Sequence, residues 1–348
     1  MSDQEIDVRP VLLRPDNFTP PSRTPWGGRW IRELKARWVG DGEPVGESWE
    51  LSVEPSFPSR AEDGALLAER IAGRAAWLGS EAPRGSTALL VKLLDAAAPL
   101  SVQIHPPDGY SGLAPGEGGK PESWYVVRRE PGSGIYLGLA EGADRRSIER
   151  ALERGEDVSR LLSFVPVEPG DFFVIDAGTA HCIGAGVALV EPQRVAPGAR
   201  SVTYRYWDWG RRYDAAGRES AEGTPRALHV RDALAVTDWA APRGEALLAR
   251  ARLRAGVPDL RASARLEVLA GLEGLASAHL RVARLSGSGA IELPAWNALA
   301  ALTVLEGAVV LGDRVVEAGR TAAVPAAWRG RAELEGAHAI LAATPAPA

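Results

Sequence analysis

Four residues of this sequence could together bind a metal ion. Gln103 and His105 lie two residues apart in one apolar segment, Glu122 follows a glycine-rich turn, and His181 ends a Gly-Thr-Ala turn. Residues two apart in a strand point to the same face, so Gln103 and His105 can reach one point inside a barrel. A carboxylate such as Glu122 that enters a barrel needs a charge partner, and a cation would supply it. This nitrogen and oxygen donor set suits Zn²⁺ and, less selectively, Mn²⁺ or Fe²⁺.

Each of these residues also has a structural explanation, which the sequence alone leaves open. A histidine such as His181 is more often a hydrogen-bonded core residue than a metal ligand. Glu122 could instead form an ion pair of little consequence with Lys92 or Arg128. The single cysteine, Cys182, excludes an internal disulfide and a Cys-rich zinc site. Any metal must therefore use histidine and oxygen ligands.

Composition and charge restrict the classes of protein that remain. The 348 residues are 45% hydrophobic and 24% charged. No apolar run approaches the ~20 residues that a membrane-spanning helix needs. The net charge of -5 argues against a nucleic-acid surface, which requires clustered Lys and Arg. Since the acidic start lacks the features of a secretory signal, we expect a soluble cytoplasmic protein, monomeric or weakly dimeric, that binds neither nucleic acid nor membranes.

Glycine and proline divide the sequence into many short apolar runs. There are 38 glycines and 26 prolines, and strand-length runs lie between them at 88–94, 100–104, 124–127, 172–175 and 187–190. Many strands at short spacing predict an all-β fold, either a sandwich or a barrel. Two other segments carry apolar residues at helical spacing, so we predict packing helices over 64–78 and 145–162.

A change in composition after Trp239 marks a candidate domain boundary. Residues rich in Ala, Arg and Leu follow before strand-like runs resume near Leu280, so we place a metal-binding catalytic domain at 1–244 and a second domain at 245–348. An internal repeat relates residues 170–181 to residues 319–330, because each has a turn glycine, a strand and a tight turn. The first copy ends in a histidine and the second in glycine, which predicts that the second domain binds no metal there.

Seven segments resemble those of the type I mannose-6-phosphate isomerases, which are zinc-dependent cupins, and especially their shorter bacterial branch. They are Trp26-Gly-Gly, Gly46-Glu-Ser-Trp-Glu50, Leu89-Leu-Val-Lys-Leu-Leu-Asp95, Leu100-Ser-Val-Gln-Ile-His-Pro106, Gly119-Lys-Pro-Glu122, Gly178-Thr-Ala-His181 and Thr203-Tyr-Arg205. They cover roughly residues 25–240. The combination of Gln-Ile-His-Pro with Gly-Lys-Pro-Glu is far more specific than a generic cupin signature. The last third of the chain resembles the family only in pattern.

The resemblance implies a fold, a cofactor and an activity. The fold would be two cupin-like jelly-roll barrels, with a few helices on the first and a degenerate, metal-free second barrel. One zinc ion per chain would be held by Gln103, His105, Glu122 and His181. The activity would be the interconversion of mannose 6-phosphate and fructose 6-phosphate through a cis-enediolate, whose developing charge a zinc ion would stabilise. The partner would therefore be a small phosphorylated sugar.

Other residues are expected to serve this reaction. The resemblance gives Arg205 a catalytic role and places Lys120 in the substrate pocket, so we expect both to act in catalysis and in substrate binding. Glu47 and Asp208 are further candidates for substrate binding. The general base stays open among these two carboxylates and a metal-bound hydroxide.

Sugar specificity is the least determined property of the site. Lys120, Arg211 and Arg212 are candidates for binding the substrate phosphate, although the two arginines could equally be a solvated pair. Asp176 stands where cupins commonly have proline, residues 194–199 resemble a small insertion, and the acidic residue expected shortly before Thr-Tyr-Arg is replaced within Arg-Ser-Val. These departures concern the substrate loop and leave the metal-binding positions intact.

Two other functions remain compatible with these patterns. One is a non-catalytic sugar-binding bicupin, and the other is a metal-dependent cupin isomerase or oxygenase that acts on another substrate. Cupin oxygenases usually have histidine-rich ligand sets, so Gln103 argues against that class. The presence of all four ligand positions together with Arg205 argues against a non-catalytic protein.

Overall fold

The computed structural model describes residues 8–271 and 273–344, and most of its regular structure is β-strand. The strands are β1 (Val11–Leu12), β2 (Glu47–Leu51), β3 (Leu89–Ala96), β4 (Val102–Ile104), β5 (Glu117–Gly118), β6 (Glu122–Arg129), β7 (Gly134–Leu139), β8 (Leu162–Pro166), β9 (Asp171–Ile175), β10 (His181–Ile183), β11 (Val187–Arg194), β12 (Arg200–Ser201), β13 (Tyr204–Trp207), β14 (Arg212–Tyr213), β15 (Thr224–Pro225), β16 (Arg252–Arg254), β17 (Arg265–Ala270), β18 (Arg281–Glu292), β19 (Ala300–Leu311), β20 (Arg314–Glu317), β21 (Thr321–Val324) and β22 (Arg331–Ala343). The α-helices are α1 (Trp30–Val39), α2 (Leu67–Ile71), α3 (Ala75–Leu78), α4 (Arg145–Glu153), α5 (Val230–Val236) and α6 (Gly244–Ala251), and two 3₁₀ helices span Ala82–Arg84 and Val158–Leu161.

Three larger sheets are built from these strands. The front sheet has the order β13-β4-β10-β7-β8, and the central sheet has the order β16-β9-β6-β11-β3-β2. The back sheet has the order β1-β21-β19-β22-β18-β17, with β20 paired to β19. All pairings within these three sheets are antiparallel. The all-β fold predicted from the sequence is thereby confirmed.

Side chains along each strand of the central sheet point alternately to its two faces, and both faces are covered by other parts of the protein. One face, with Trp124 and Leu189, packs against front-sheet residues such as Ile104 to form one buried cluster. The opposite face, with Tyr125 and Val190, packs against apolar side chains of the back sheet in a second cluster. A third cluster lies within the back sheet, where the long strands β19 and β22 bend at bulges. Layers packed on both sides explain why the central strands contain few exposed residues.

Two strands pair with a sheet that is formed mainly by the other side of the predicted domain boundary. Strand β1, near the N-terminus, pairs with β21 in the back sheet. Strand β16, which lies after residue 244, pairs with β9 in the central sheet. The division at 244/245 stays a prediction.

The two predicted helical segments form shorter helices than expected. Residues 64–78 contain α2 and α3, which are separated by Gly73 in the left-handed region with φ +64°. In the second segment α4 begins at a capping box between Asp144 and Ser147 and ends at Glu153. The prediction of helix through Leu162 was wrong, because that residue begins β8 after a 3₁₀ turn. Among the described residues, no helix is long and apolar enough to cross a membrane.

A buried ion pair joins α1, the central sheet and the back sheet. Lys35 Nζ lies 2.7 Å from Glu50 Oε1, and both side chains are almost fully buried. The Ser48 hydroxyl donates to Glu50 Oε1 at 2.6 Å, and the Thr321 hydroxyl donates to Glu50 Oε2 at 2.8 Å. These hydrogen bonds satisfy the carboxylate, and Lys35 supplies the opposite charge that its burial requires.

Replacing Lys35 with Met should lower the free energy of unfolding by about 3–5 kcal/mol, because Glu50 would stay buried without its cation. Replacing both residues with Met should recover part of this loss, since no charge would then be buried. Urea unfolding followed by circular dichroism measures both effects. Arg37→Met on the same helix is the matched control, because its pair with Glu317 is exposed and should contribute less than about 1 kcal/mol. A Lys35→Met protein as stable as this control would contradict the interpretation.

Candidate metal centre

The front sheet positions three of the four predicted ligands. Gln103 lies in β4, His105 directly follows that strand, and His181 begins β10. His181 and Gln103 are direct partners in the antiparallel pairing of these strands, so their side chains share a face. The amide of Gly178 donates to the carbonyl of His105 at 3.0 Å, which ties the turn before His181 to the end of β4. Gly178 has φ +81°, a conformation that favours glycine, so the sequence of this turn fixes where His181 enters the sheet.

The central sheet supplies the fourth predicted ligand, Glu122, at the first position of β6. The loop before it passes very close to the end of β4. A Cβ atom on Gly119 would lie 2.5 Å from the carbonyl oxygen of Pro106, so only glycine permits this approach. The glycine-rich turn thus brings Glu122 next to His105 from the opposite sheet.

The two imidazoles and the carboxylate converge in a buried space. His105 Nε2 lies 3.3 Å from Glu122 Oε2, and His181 Nε2 lies 3.4 Å from Glu122 Oε1. The two imidazole ring centroids are 4.8 Å apart. The exposed fractions of His105, Glu122 and His181 are 2%, 1% and 0%. Four ligands placed tetrahedrally around a zinc ion at ~2.0–2.1 Å lie roughly 3.4 Å from one another, so this spacing fits an ion.

Both imidazoles are oriented by hydrogen bonds from their other nitrogen. Nδ1 of His105 lies 3.1 Å from the carbonyl oxygen of Val202, and Nδ1 of His181 lies 2.8 Å from that of Thr179. A protonated Nδ1 donates these bonds and leaves the Nε2 lone pair directed at the shared space. Burial lowers the pKa of His181 to about 3 and also lowers that of His105, so both rings are neutral, as metal ligands must be.

Three atoms at the centre lack any hydrogen-bond partner among the described residues. They are His105 Nε2, His181 Nε2 and Glu122 Oε1. Leaving buried acceptors unsatisfied costs free energy at each atom, and three such atoms lie within reach of one point. A metal ion bound there would satisfy all three at once. The residues present therefore fit a divalent metal ion.

Glu122 stays ionised despite its burial. Burial alone would raise its pKa, but the Lys120 ammonium, together with the interactions of the carboxylate with His105 and His181, holds that pKa well below the usual range. Lys120 Nζ lies 2.9 Å from Glu122 Oε2, and the Gln193 side-chain amide donates to the same oxygen at 3.0 Å. The alternative of a surface ion pair is excluded, because Glu122 is buried and pairs with Lys120 rather than with Lys92 or Arg128.

Gln103 and Arg205 continue the row that begins with His181. Arg205 in β13 is the direct partner of Gln103 in β4, so all three side chains lie on one face. The Gln103 side chain has no hydrogen-bond partner within residues 8–271 and 273–344. One Arg205 nitrogen, Nη1, donates to the carbonyl of Ala227 at 2.9 Å, whereas its buried Nε has no partner there. The row leaves an amide oxygen and a guanidinium available beside the metal-binding atoms.

Sequence reasoning missed a set of buried polar residues on the facing side of the central sheet. Glu191 in β11 lies directly opposite Lys92 in β3 and two residues before Gln193. It is 3% exposed and accepts a hydrogen bond from the Trp124 indole at 3.1 Å. Burial, followed by repulsion from Glu122, raises the pKa of Glu191 to about 8. Period-two alternation after the apolar run 187–190 would have indicated this face, because Leu189, Glu191 and Gln193 share it.

Glu47 lies on the same face, whereas Asp208 is held in a different environment. Glu47 Oε2 is 3.7 Å from Lys92 Nζ and accepts from the Trp49 indole at 3.2 Å. Both oxygens of Asp208 accept hydrogen bonds from Arg226 at 2.6 Å, and Arg211 donates to Oδ1 at 2.7 Å. Glu47 therefore borders Lys92 on the face of the central sheet that carries Glu191. Asp208, in contrast, has both carboxylate oxygens bonded to arginines.

Arg211 and Arg212, predicted as a possible pair, lie in different environments. Arg211 is buried against Asp208. Arg212 is exposed, and its Nε donates to the carbonyl of Gly223 at 2.7 Å. The two residues do not form one solvated pair.

Comparison with known proteins supports the resemblance inferred from the motifs. No family model matches the chain. The sequence is 33% identical over 215 residues to the mannose-6-phosphate isomerase of Streptococcus mutans, covering 61% of this chain and 63% of that protein. It is 38% identical over 151 residues to the mannose-6-phosphate isomerase ManA of Bacillus subtilis, covering 43% of this chain and 44% of that protein. The alignments thus span less than two thirds of these relatives.

A solved structure extends the likeness of the fold along almost the whole chain. The crystal structure of the Bacillus subtilis mannose 6-phosphate isomerase superposes with a TM-score of 0.74 and covers 96% of this chain and 99% of that chain. The sequence identity in this superposition is 23%, so the comparison establishes the shared fold. The motif-based resemblance to mannose-6-phosphate isomerases is confirmed by the sequence relatives.

Replacing His105 with Ala should remove the bound metal, because the ion would lose one of its two imidazole ligands. We expect about one divalent ion per purified wild-type chain and a strongly reduced content in the variant, measured by elemental analysis. His279→Ala is the matched control, because this half-buried histidine lies outside the cluster formed with Glu122 and His181. Equal metal content in the two variants would show that His105 does not hold the ion.

Proposed function

We propose that this protein interconverts mannose 6-phosphate and fructose 6-phosphate and holds one zinc ion on Gln103, His105, Glu122 and His181. The observation that carries the proposal is that three buried atoms without hydrogen-bond partners, each able to bind a metal ion, converge beside the buried Lys120. The sequence relatives named mannose-6-phosphate isomerase support the choice of substrate.

The donor set favours zinc among the divalent metals. Two neutral imidazoles, one carboxylate and an amide oxygen form a site of mixed softness. Only one ligand carries a negative charge, so a bound ion retains net positive charge. When bound, zinc would act as a Lewis acid toward the substrate carbonyl.

We propose Glu191 as the group that carries a proton between C2 and C1 of the sugar. Isomerisation needs a group that can both accept and return a proton near neutral pH. A carboxyl with a pKa of about 8 meets this requirement, whereas an ordinary glutamate is a much weaker base. Among the earlier candidates, Asp208 is the less suitable base, because two arginines occupy both of its oxygens.

Lys120 and Lys92 supply positive charge to the same space. Burial alone would lower the pKa of Lys120, but the attraction of Glu122 and then of Glu191 raises it, so Lys120 stays protonated. Lys92 lies between Glu47 and the Trp49 ring, whose centroid is 4.2 Å from its ammonium. A phosphorylated sugar brings negative charge, so these lysines can orient it toward the donor atoms.

We propose that Arg205 acts on charge that develops as the proton leaves. It lies beside Gln103 with its Nε unpartnered, and its planar guanidinium can donate in two directions. Burial, together with repulsion from Arg226, lowers its pKa, which indicates a site where an added negative charge would be favourable.

A cytoplasmic location and a monomeric or weakly dimeric state stay predictions from the sequence.

A coupled assay that converts mannose 6-phosphate to fructose 6-phosphate tests the activity directly. The zinc-loaded wild-type protein should turn over this substrate, and Glu191→Gln should lower kcat by about 10²–10⁴ because the proton carrier is lost. The zinc content of the variant should stay near that of the wild type.

The matched control for this prediction is Glu81→Gln. Glu81 is also a buried glutamate with a pKa raised by burial, but it bonds to Thr87, Ala88 and Thr344 outside the site. It should keep the wild-type kcat. A zinc-loaded wild-type protein without activity would refute the proposed function, whereas full activity in Glu191→Gln would refute only the role of that residue.

Arg205→Ala should separate catalysis from substrate binding. If the guanidinium acts only in the transition state, kcat should fall by about 10²–10³ while zinc content is unchanged. Arg205→Lys should recover part of the rate, because it restores the charge without the planar donor pair. Arg146→Ala, at an exposed arginine on α4, serves as the control. A raised KM with unchanged kcat would instead assign Arg205 to ground-state binding.

A further inference from the structure

The back sheet carries a cavity that the proposed reaction does not use. It has a volume of about 260 Å³, and its walls include Trp296, Trp328, Asn297, Arg331 and Glu292. This volume lies just below the ~300–1,000 Å³ typical of cavities for drug-sized ligands, so it would accommodate one small ring. We propose that this cavity binds a hexopyranose, at a site separate from the metal centre and independent of the proposed isomerase activity.

Two tryptophans give the cavity its apolar walls. Trp296 and Trp328 are partly buried and pack against the apolar cluster of the back sheet. Neither indole N–H has a hydrogen-bond partner among the described residues. Each side chain therefore offers a flat aromatic surface together with a free donor. A pyranose ring presents the complementary features, since it has an apolar C–H face and hydroxyls around its edge.

Polar groups at the rim complete this complementarity. Glu292 and Arg331 are direct partners at the ends of β18 and β22, so their side chains project from the same face of the sheet. The Asn297 side chain is exposed and makes no hydrogen bond within the part of the chain that the structure describes. Amide, carboxylate and guanidinium groups together can donate to and accept from sugar hydroxyls.

The backbone of Asn297 has a left-handed conformation at this cavity. Its φ is +52°, in the left-handed region that glycine favours and that asparagine adopts more readily than most other residues. Its carbonyl accepts hydrogen bonds from both the amide and the hydroxyl of Ser80, at 2.8 and 2.9 Å. These two hydrogen bonds hold the turn at the edge of the cavity, where the Asn297 side chain is exposed.

The internal repeat explains how this site differs from the metal centre. Gly330 occupies the repeat position that His181 occupies in the first copy. A Cβ atom on Gly330 would lie 2.3 Å from Cζ2 of Trp328, so the indole fills the space that a histidine would need. The amides of Ala326 and Ala327 donate to carbonyls of Trp77 and Ala76 and hold the turn in place. The second copy thus has an aromatic wall where the first has a metal ligand.

Methyl α-D-mannopyranoside is the probe, because its ring cannot open and it carries no phosphate. Titration calorimetry with wild-type protein should give a dissociation constant in the millimolar range, as expected for so small a ligand. D-Mannitol, which has similar hydroxyls but no ring face, should bind at least about tenfold more weakly. Equal binding of the two compounds would overturn the proposal.

Variants locate the site. Trp328→Ala should weaken binding by about tenfold or more, whereas Trp38→Ala, a partly buried tryptophan on α1, should leave binding unchanged. His105→Ala should also retain binding, because the metal centre is not involved. Retained binding in Trp328→Ala, or lost binding in His105→Ala, would place the sugar elsewhere and refute the site.

Asn297→Gly tests the site with a substitution that should not disturb folding. Glycine adopts the same φ without strain, so the melting temperature should not fall. The lost amide should still weaken binding by about two- to tenfold. Unchanged affinity in Asn297→Gly would contradict the role of the rim. Isomerase activity should be unaffected in the Trp328 and Asn297 variants, so this proposal and the proposed activity can fail separately.

Discussion

The burial of one ionised carboxylate imposes the main constraint on this structure. Glu122 is 1% exposed, and removing its charge from water would be costly without compensation. Lys120 and Gln193 satisfy Oε2, which also faces Nε2 of the neutral His105, and Oε1 faces Nε2 of the neutral His181. Holding these groups together requires the front and central sheets to meet at a fixed distance. The close backbone approach at Gly119 and the turn at Gly178 both serve this requirement.

The central sheet combines this polar site with two apolar interfaces. Its inner face carries Lys92, Glu191 and Gln193 near one end, and leucine, valine and aromatic side chains beyond them. Its outer face is apolar and packs against the back sheet. The apolar surroundings lower the local dielectric constant, which strengthens each charge interaction among the polar groups. They also account for the raised pKa of Glu191, because a second buried negative charge near Glu122 is disfavoured.

The two repeated turns show how similar local backbones can support different chemistry. Strands β9 and β21 both follow a glycine with positive φ and both lead into a tight turn. In the first turn the chain continues to His181, whose ring is buried between Trp124 and His105. In the second turn Trp328 covers the corresponding place, and Gly330 leaves room for its indole. The side chain that occupies this place distinguishes a buried His-Glu-His group that could bind a metal from an aromatic cavity.

The sequence by itself determined the class of fold and the residues whose spacing is local. Strand-length runs between turn residues indicated an all-β protein, and Gln103 with His105 shared a face because they lie two apart in one strand. It could not determine the length of the second predicted helix, since Leu162 pairs with Leu139 in the front sheet instead of continuing the turn. The tertiary structure alone decided which distant groups meet. Glu191 stands opposite Lys92 only through the pairing of β11 with β3, and its high pKa arises from burial and from Glu122 on another strand. Pairing between strands and the exclusion of water depend on the whole fold, so no local pattern of residues could have specified them.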